Sequence, residues 1–286
     1  MGKERTDYMS LVSLNFESEY LNQNETVEII LPDKPRGVAM KKFYTPEKKY
    51  KVLWLLHGTY GDATDWLRRT RIELYASEKD MIVVMPSAMN SDYVNWPKFG
   101  LGYNFMDFFV KELMPLVYSW FPASPKKEDN FIAGLSMGGE GAASIGLTHP
   151  NLFSKIGCLS FPLINYHVHS DGNFITGAEA KGMSLRFKNE VENCGGMEEF
   201  MKSPYNAWDI FFEGKKRLPK LYFYIGDEDF LYKAHLEFKD AVEKSGKKVF
   251  IKEYPGYHHE WRIWDMAIED FINQCDPDTI GAGNRF

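Results

Sequence analysis

The chain has 286 residues, 44% hydrophobic and 26% charged, the ordinary composition of one large globular domain. Its formal charge of −6 comes from interspersed acidic and basic residues, so no cationic stripe is offered to a phosphate backbone and nucleic acid is excluded as an expected partner. The apolar runs are too short to cross a bilayer, and no linker, repeat or low-complexity tract divides the chain, so a single domain over residues 1–286 with no membrane partner is expected.

The N-terminus, Met1-Gly2-Lys3-Glu4-Arg5-Thr6, is polar and lacks the apolar core of a secretory signal. Cytoplasmic residence is the default expectation, although a removed signal would leave no trace. Gly2 and Thr6 fit a myristoylation string that is too short to carry weight. Cys158, Cys194 and Cys275 are odd in number and form no CxxC pair, which argues for packing residues over a disulfide framework or a zinc site.

Two β-rich pieces come first, Leu11 to Phe16 and Thr26 to Leu31. Short apolar runs then alternate with longer amphipathic segments, the signature of an α/β fold with a mostly parallel sheet and helices on both faces. The runs are Val52 to Leu56, Met81 to Met85, Phe131 to Ala133, Ile156 to Ser160, Leu221 to Ile225 and Val249 to Tyr254. Helices are predicted at about Trp66 to Ser77, Phe105 to Trp120, Met137 to Leu147, Lys233 to Ser245 and Glu260 to Gln274. Between Pro162 and Lys220 the alternation fails, and the segment reads as an insertion or lid with a short helix near Gly196 to Ser203.

In such a sheet the reactive loops gather at the carboxyl ends of the strands. The run ending at Ala133 leads into Gly134-Leu135-Ser136-Met137-Gly138, a strand-to-helix turn that reads as a nucleophile elbow with Ser136 exposed at its tip. A serine hydroxyl is a weak nucleophile and needs a base, an acid to orient the base, and donors for an oxyanion. Pro255-Gly256-Tyr257-His258-His259-Glu260 follows the last run and supplies the base, with His259 preferred over its neighbour. Gly226-Asp227-Glu228-Asp229 supplies the acid, with Asp229 preferred and Asp227 second. The oxyanion donors expected are the amide of Met137, at a helix start, and one from His57-Gly58-Thr59-Tyr60-Gly61, either Thr59 or Gly58. His57 leads that loop and is assigned a role in fixing its shape.

Other constellations are weaker. His167 and His169 could share one face of an extended segment, but no third metal ligand stands at a diagnostic spacing. The P-loop lysine and the dinucleotide fingerprint are absent, so neither cofactor nor metal is expected. Tyr93, Trp96 and Tyr103 either pack beneath loops or form a flat apolar slot.

The segments Leu55-Leu56-His57-Gly58, Asp65-Trp66, Ile82 to Pro86, Phe131 to Gly139, Gly226 to Leu231 and His259-Glu260-Trp261 together resemble the esterase D-like α/β-hydrolases. That family includes tributyrin esterases, feruloyl and acetylxylan esterases of carbohydrate esterase family 1, and S-formylglutathione hydrolases. The resemblance implies an α/β-hydrolase fold and a cofactor-free serine carboxylesterase cleaving short acyl esters, plausibly acetyl or feruloyl esters of plant carbohydrates. It implies Asp229 as acid, three residues beyond the glycine, and His259 as base, directly before Glu-Trp. In place of the small residue usual before that histidine, this chain has His258. The expected partner is a small-molecule or carbohydrate ester, with a homo-oligomer compatible. The rival expectations are an S-formylglutathione hydrolase-like thioesterase and a non-catalytic carbohydrate-binding descendant.

Overall fold

The computed structural model describes residues 8–34, 39–43, 45, 47–172, 174, 180–214 and 217–277. Gly2 and Thr6 therefore lie outside the described residues.

Two long strands, β1 (Tyr8–Ser18) and β2 (Gln23–Asp33), form an antiparallel pair, and a short helix α1 (Met40–Phe43) follows. The chain continues through β3 (Val52–Leu56), α2 (Asp65–Arg69), α3 (Ile72–Ser77), β4 (Ile82–Pro86) and a small hairpin, β5 (Asn95–Trp96) and β6 (Tyr103–Asn104). Next come α4 (Phe105–Asp107), a π-helical stretch Phe108–Leu113, α5 (Met114–Trp120), β7 (Asn130–Leu135), α6 (Met137–Thr148) and β8 (Lys155–Leu159). Three helices, α7 (Ala180–Cys194), α8 (Met197–Lys202) and α9 (Ala207–Glu213), precede β9 (Lys220–Gly226), α10 (Tyr232–Ser245), β10 (Phe250–Tyr254) and α11 (Trp261–Cys275).

Eight strands form one sheet in the order β1-β2-β4-β3-β7-β8-β9-β10. β2 meets β4 antiparallel, and from β4 to β10 every pairing is parallel. The central strands are covered on both faces, which is why they read as unbroken apolar runs. Alternation along β3 divides its side chains between two cores: Val52, Trp54 and Leu56 belong to the one that also holds residues of α5, α6, α9 and α10, with Trp54 edge-on to Phe109 and Tyr118, whereas Leu53 and Leu55 belong to the one that holds residues of α3 and α11. All five are fully buried, and each such side chain is worth about 1.5–3 kcal/mol relative to exposure.

The structure refines three of the expected elements. The helix predicted from Trp66 to Ser77 is two helices, because Thr70 is extended and its hydroxyl both donates to the Trp66 carbonyl at 2.6 Å and accepts the Ile72 amide at 3.2 Å. The helix from Phe105 to Trp120 widens into π geometry just before Pro115, which has no N–H to return to the previous turn. The segment from Pro162 to Lys220 contains the predicted short helix as α8, but also α7 and α9. Phe161, Ile164, Tyr166, Phe187 and Phe200 give it an apolar cluster of its own against Ile225 and Leu231.

Candidate active site

Ser136 occupies the turn between β7 and α6 with φ 51° and ψ −120°, a conformation that side chains other than glycine rarely tolerate. The turn is held by backbone: the Ser136 amide donates to Leu159 at 2.8 Å, and the Ser136 carbonyl accepts from Gly139 and Glu140. The elbow's glycines are required by contact. A Cβ on Gly138 would lie 2.5 Å from the Leu56 carbonyl oxygen, and one on Gly134 would lie 2.3 Å from that of Gly138. Strand β3 and helix α6 can therefore approach only as bare backbone.

The loop after β3 lies beside the serine. The Cβ position of Gly58 stands 3.5 Å from Ser136 Cβ. Met137 is the first residue of α6, so its amide has no acceptor within the helix, and among the described residues neither it nor the Thr59 amide donates a hydrogen bond. His57 fixes this loop as expected. Its Nδ1–H donates to the Gly58 carbonyl at 2.7 Å and its Nε2 accepts the Ala88 amide at 2.9 Å, which defines a neutral ring. Burial lowers its basicity further.

At the same carboxyl end of the sheet, two and three strands along from β7, the loops after β9 and β10 are zipped together. Asp227 and Glu228 amides donate to the Tyr254 and Tyr257 carbonyls. This register separates the three acidic residues that the sequence leaves in competition. Asp227 accepts the Gly256 amide at 2.7 Å, Glu228 pairs with His258, and Asp229 faces His259. His259 Nδ1 donates to Asp229 Oδ2 at 2.8 Å while Asp229 Oδ1 accepts the Leu231 amide at 2.9 Å. The Asp229 side chain is fully buried and its oxygens accept, so Nδ1 of His259 carries a proton and Nε2 is the basic nitrogen of the neutral ring. The unusual His258 causes no crowding, because it points outward to the exposed Glu228. No hydrogen bond joins His259 to the Ser136 hydroxyl among the described residues, and such contacts commonly tighten only with substrate bound.

Sequence reasoning missed the aromatic seat of the histidine. Phe230 lies 4.3 Å from the His259 ring centroid, and Trp264 stands edge-on to it at 5.0 Å. Trp264 in turn donates to the Ser160 hydroxyl at 2.9 Å. Phe230, beside Asp229, and Trp264, one turn into a helix that starts after His259, were the available signals.

The aromatic slot needs correction at one position. Tyr93 is buried, its hydroxyl donates to the His57 carbonyl at 3.1 Å, and its ring packs against Gly141. Trp96 and Tyr103 do line a pocket of about 600 Å³, with Phe99, Phe105, Met89 and Arg186. Tyr60 and Gly61, from the loop after β3, complete its wall.

His167 and His169 diverge, the first to Asp209 at 2.8 Å and the second to Glu237 at 2.6 Å. Among the described residues, His167, Asp209 and Glu213 bring one donor atom each within 4.8 Å of one another, with His167 and Glu213 exposed and Asp209 half-buried. The three cysteines are unpaired, and Cys158 and Cys275 are packed in the core, as expected.

The esterase family model matches residues 18–207, two thirds of the chain. The chain belongs to the esterase family. This esterase is 30% identical over 262 residues to an acetyl esterase of Caldicellulosiruptor saccharolyticus, covering 91% of its own length and 96% of the relative's. It superposes with a TM-score of 0.74 on an S-formylglutathione hydrolase of Staphylococcus aureus, 29% identical, over 94% of this chain and 99% of that one. It is equally similar to a fluorophosphonate-binding serine hydrolase from the same organism, with TM-score 0.74, 29% identity, and 93% and 98% of the two chains covered. The esterase is thus an α/β-hydrolase and a carboxylic ester hydrolase of the serine type. Among the described residues, no helix is long and apolar enough to cross a membrane.

Proposed function

We propose that Ser136, His259 and Asp229 cleave short acyl esters through an acyl-enzyme. The observation that carries this reading is the His259–Asp229 hydrogen bond, made at Nδ1 to a buried acid, on loops that leave the same carboxyl end of the sheet as the strained Ser136 turn. The Ser136 oxygen attacks the acyl carbon as its proton passes to His259 Nε2. The Met137 amide and that of Thr59 or Gly58 receive the oxyanion. Collapse returns the proton to the leaving alcohol, and water repeats the sequence to release the acid. Asp229 accepts from His259 Nδ1 and stabilises the imidazolium that forms.

The pocket beside the loop after β3 favours a neutral aromatic or alkyl group, such as a hydroxycinnamoyl or short aliphatic portion of a carbohydrate ester. Five aromatic side chains and Met89 line it beside the polar Asn90, Ser91 and Asn189, and among the described residues its one cationic residue, Arg186, is already paired with Asp92. A glutathione thioester carries two carboxylates, for which these walls offer no uncompensated cation. Helix α7 contributes Arg186 and Asn189 to the pocket wall.

The test is a substrate panel of 4-nitrophenyl acetate, butyrate and octanoate, methyl ferulate, acetylated xylan and S-formylglutathione, with wild type and Ser136→Ala. Ester hydrolysis lost in the variant, together with one-to-one fluorophosphonate labelling of the wild type, is the expected result. Hydrolysis by Ser136→Ala at the wild-type rate overturns the reading, and preference for the thioester overturns its substrate part.

A further inference from the structure

Arg186 lies in the middle of α7, in the stretch where the sequence pattern is least informative, yet it touches the most consequential loop of the molecule. Its side chain is 16% exposed. Nη1 donates to the Thr59 hydroxyl at 2.7 Å, and Nη2 forms an ion pair with Asp92 Oδ1. One guanidinium thus joins three separate pieces of chain: the insertion helix, the loop after β3 and the loop after β4.

Each end of this bridge is constrained. Asp92 is buried, sits at φ 54° in a turn where Tyr93 is also left-handed, and has no hydrogen-bonding partner other than the ion pair with Arg186 among the described residues. Thr59 follows Gly58, whose Cβ position is 3.5 Å from Ser136 Cβ. The guanidinium is therefore one hydroxyl and one peptide unit from the nucleophile's neighbour. Two more carboxyls, Glu140 from α6 and Glu190 from α7, face the same group, and burial holds both toward their neutral forms. Burial raises the Asp92 carboxyl as well, but only to about 6, and Asp92 is the one of these three acids ion-paired with Arg186, so it is the anion that the guanidinium balances, and the planar fork is fixed by two bonds in different directions.

We infer that Arg186 is a positioning residue for ester cleavage, holding the oxyanion loop through the Thr59 hydroxyl and so making that loop's geometry depend on the docking of α7. The inference rests on the reading that the loop's amides receive the oxyanion. A second role for the guanidinium, as the receptor of an anionic substrate, is disfavoured because its charge is spent on Asp92.

The experiment compares Thr59→Val, Arg186→Met, the double variant Arg186→Met/Thr59→Val and the charge-balanced Arg186→Met/Asp92→Asn on 4-nitrophenyl acetate, with kcat, KM and Tm for each. The expected result is a fall in kcat of about 10- to 100-fold in both single variants with KM within about 3-fold, since small misplacement of oxyanion donors costs this much. The double variant should fall no further than Arg186→Met, because both changes cut one connection. Arg186→Met/Asp92→Asn should recover Tm without recovering kcat. Any of three results overturns the inference: unchanged kcat in Thr59→Val, full kcat in the charge-balanced variant, or, when 4-nitrophenyl hemisuccinate is run beside the acetate, a loss confined to KM for that anionic ester. Ser136→Ala, run alongside, keeps the two readings distinguishable. If it remains active, the site itself is misplaced; if it is inactive while Arg186 variants turn over normally, only the positioning role falls.

Discussion

Trp264 and Ser160 meet at 2.9 Å beneath His259, the indole N–H donating to a hydroxyl that itself sits on a left-handed residue at the end of β8. The base is thus located by two independent devices: Asp229 fixes its hydrogen-bonding direction, and the indole edge fixes the tilt of its ring. Trp264→Phe keeps most of the packing but removes the donor, leaving the buried Ser160 hydroxyl short of a partner. We expect a stability loss of about 1–3 kcal/mol and a fall in kcat of several-fold. Chemical denaturation and steady-state kinetics check both, and unaltered kcat would show that packing alone seats the ring.

Asp229 and Asp227 are two residues apart on one loop, yet they predict very different variants. Asp229→Asn should lower kcat by about 10³- to 10⁴-fold, since an amide in that position favours the wrong imidazole tautomer. Asp227→Asn removes only a charge at an exposed turn and retains an oxygen for the Gly256 amide, so kcat should stay within about 3-fold. Equal losses in the two variants would mean that the acid is misassigned.

The strain at Ser136 predicts a variant that gains stability as it loses activity. Glycine accepts φ 51° and ψ −120° without the Cβ conflict that serine and alanine share. Ser136→Gly should be inactive and more stable than Ser136→Ala by about 1 kcal/mol, measured by urea unfolding. A Ser136→Gly protein less stable than Ser136→Ala would indicate that the turn is not strained.

The buried acids predict how stability depends on pH. Burial raises the Glu140 carboxyl from 4.5 to about 8 and pushes Glu190 up as well. The native state therefore binds these protons more tightly than the unfolded chain, and unfolding free energy falls as pH rises through the folded pKa values. The window from pH 7 to 8 is the cleanest, because buried His57 and His235, whose pKa values are lowered, are already neutral there, while the thiols of Cys158, Cys194 and Cys275, raised by burial from 9.0, contribute mainly above it. Wild type should lose Tm from pH 7 to 8, and Glu140→Gln/Glu190→Gln should flatten that slope. Parallel slopes would refute the burial of charge as its cause.

Much of this was legible because backbone requirements write themselves into the sequence. The span Val52 to Leu56 is strand in full, and the glycines around Ser136 mark a crossing that no side chain can enter. Asp229 and Asp227 could not be separated by composition alone, since both follow the same strand. Their difference lies in the register that carries Gly226 to within contact of Tyr257. Helix α7 escaped notice because Gly182, Ser184 and Asn189 dilute its pattern, although Met183, Phe187 and Val191 recur at four-residue intervals. Arg186 was invisible for a different reason: Thr59 lies 127 positions earlier, and only the closed fold brings them together.

The histidine hangs from β10, which among the described residues is paired on one side only and whose side chains are all partly exposed. The nucleophile belongs to β7, enclosed by neighbours on both sides and by helices on both faces. An edge strand opens at lower free energy than a central one, so amide exchange should be faster along Phe250–Tyr254 than along Asn130–Leu135. On warming, such a protein would fall silent by fraying at the edge while its core remained intact, and would recover on cooling without having to refold.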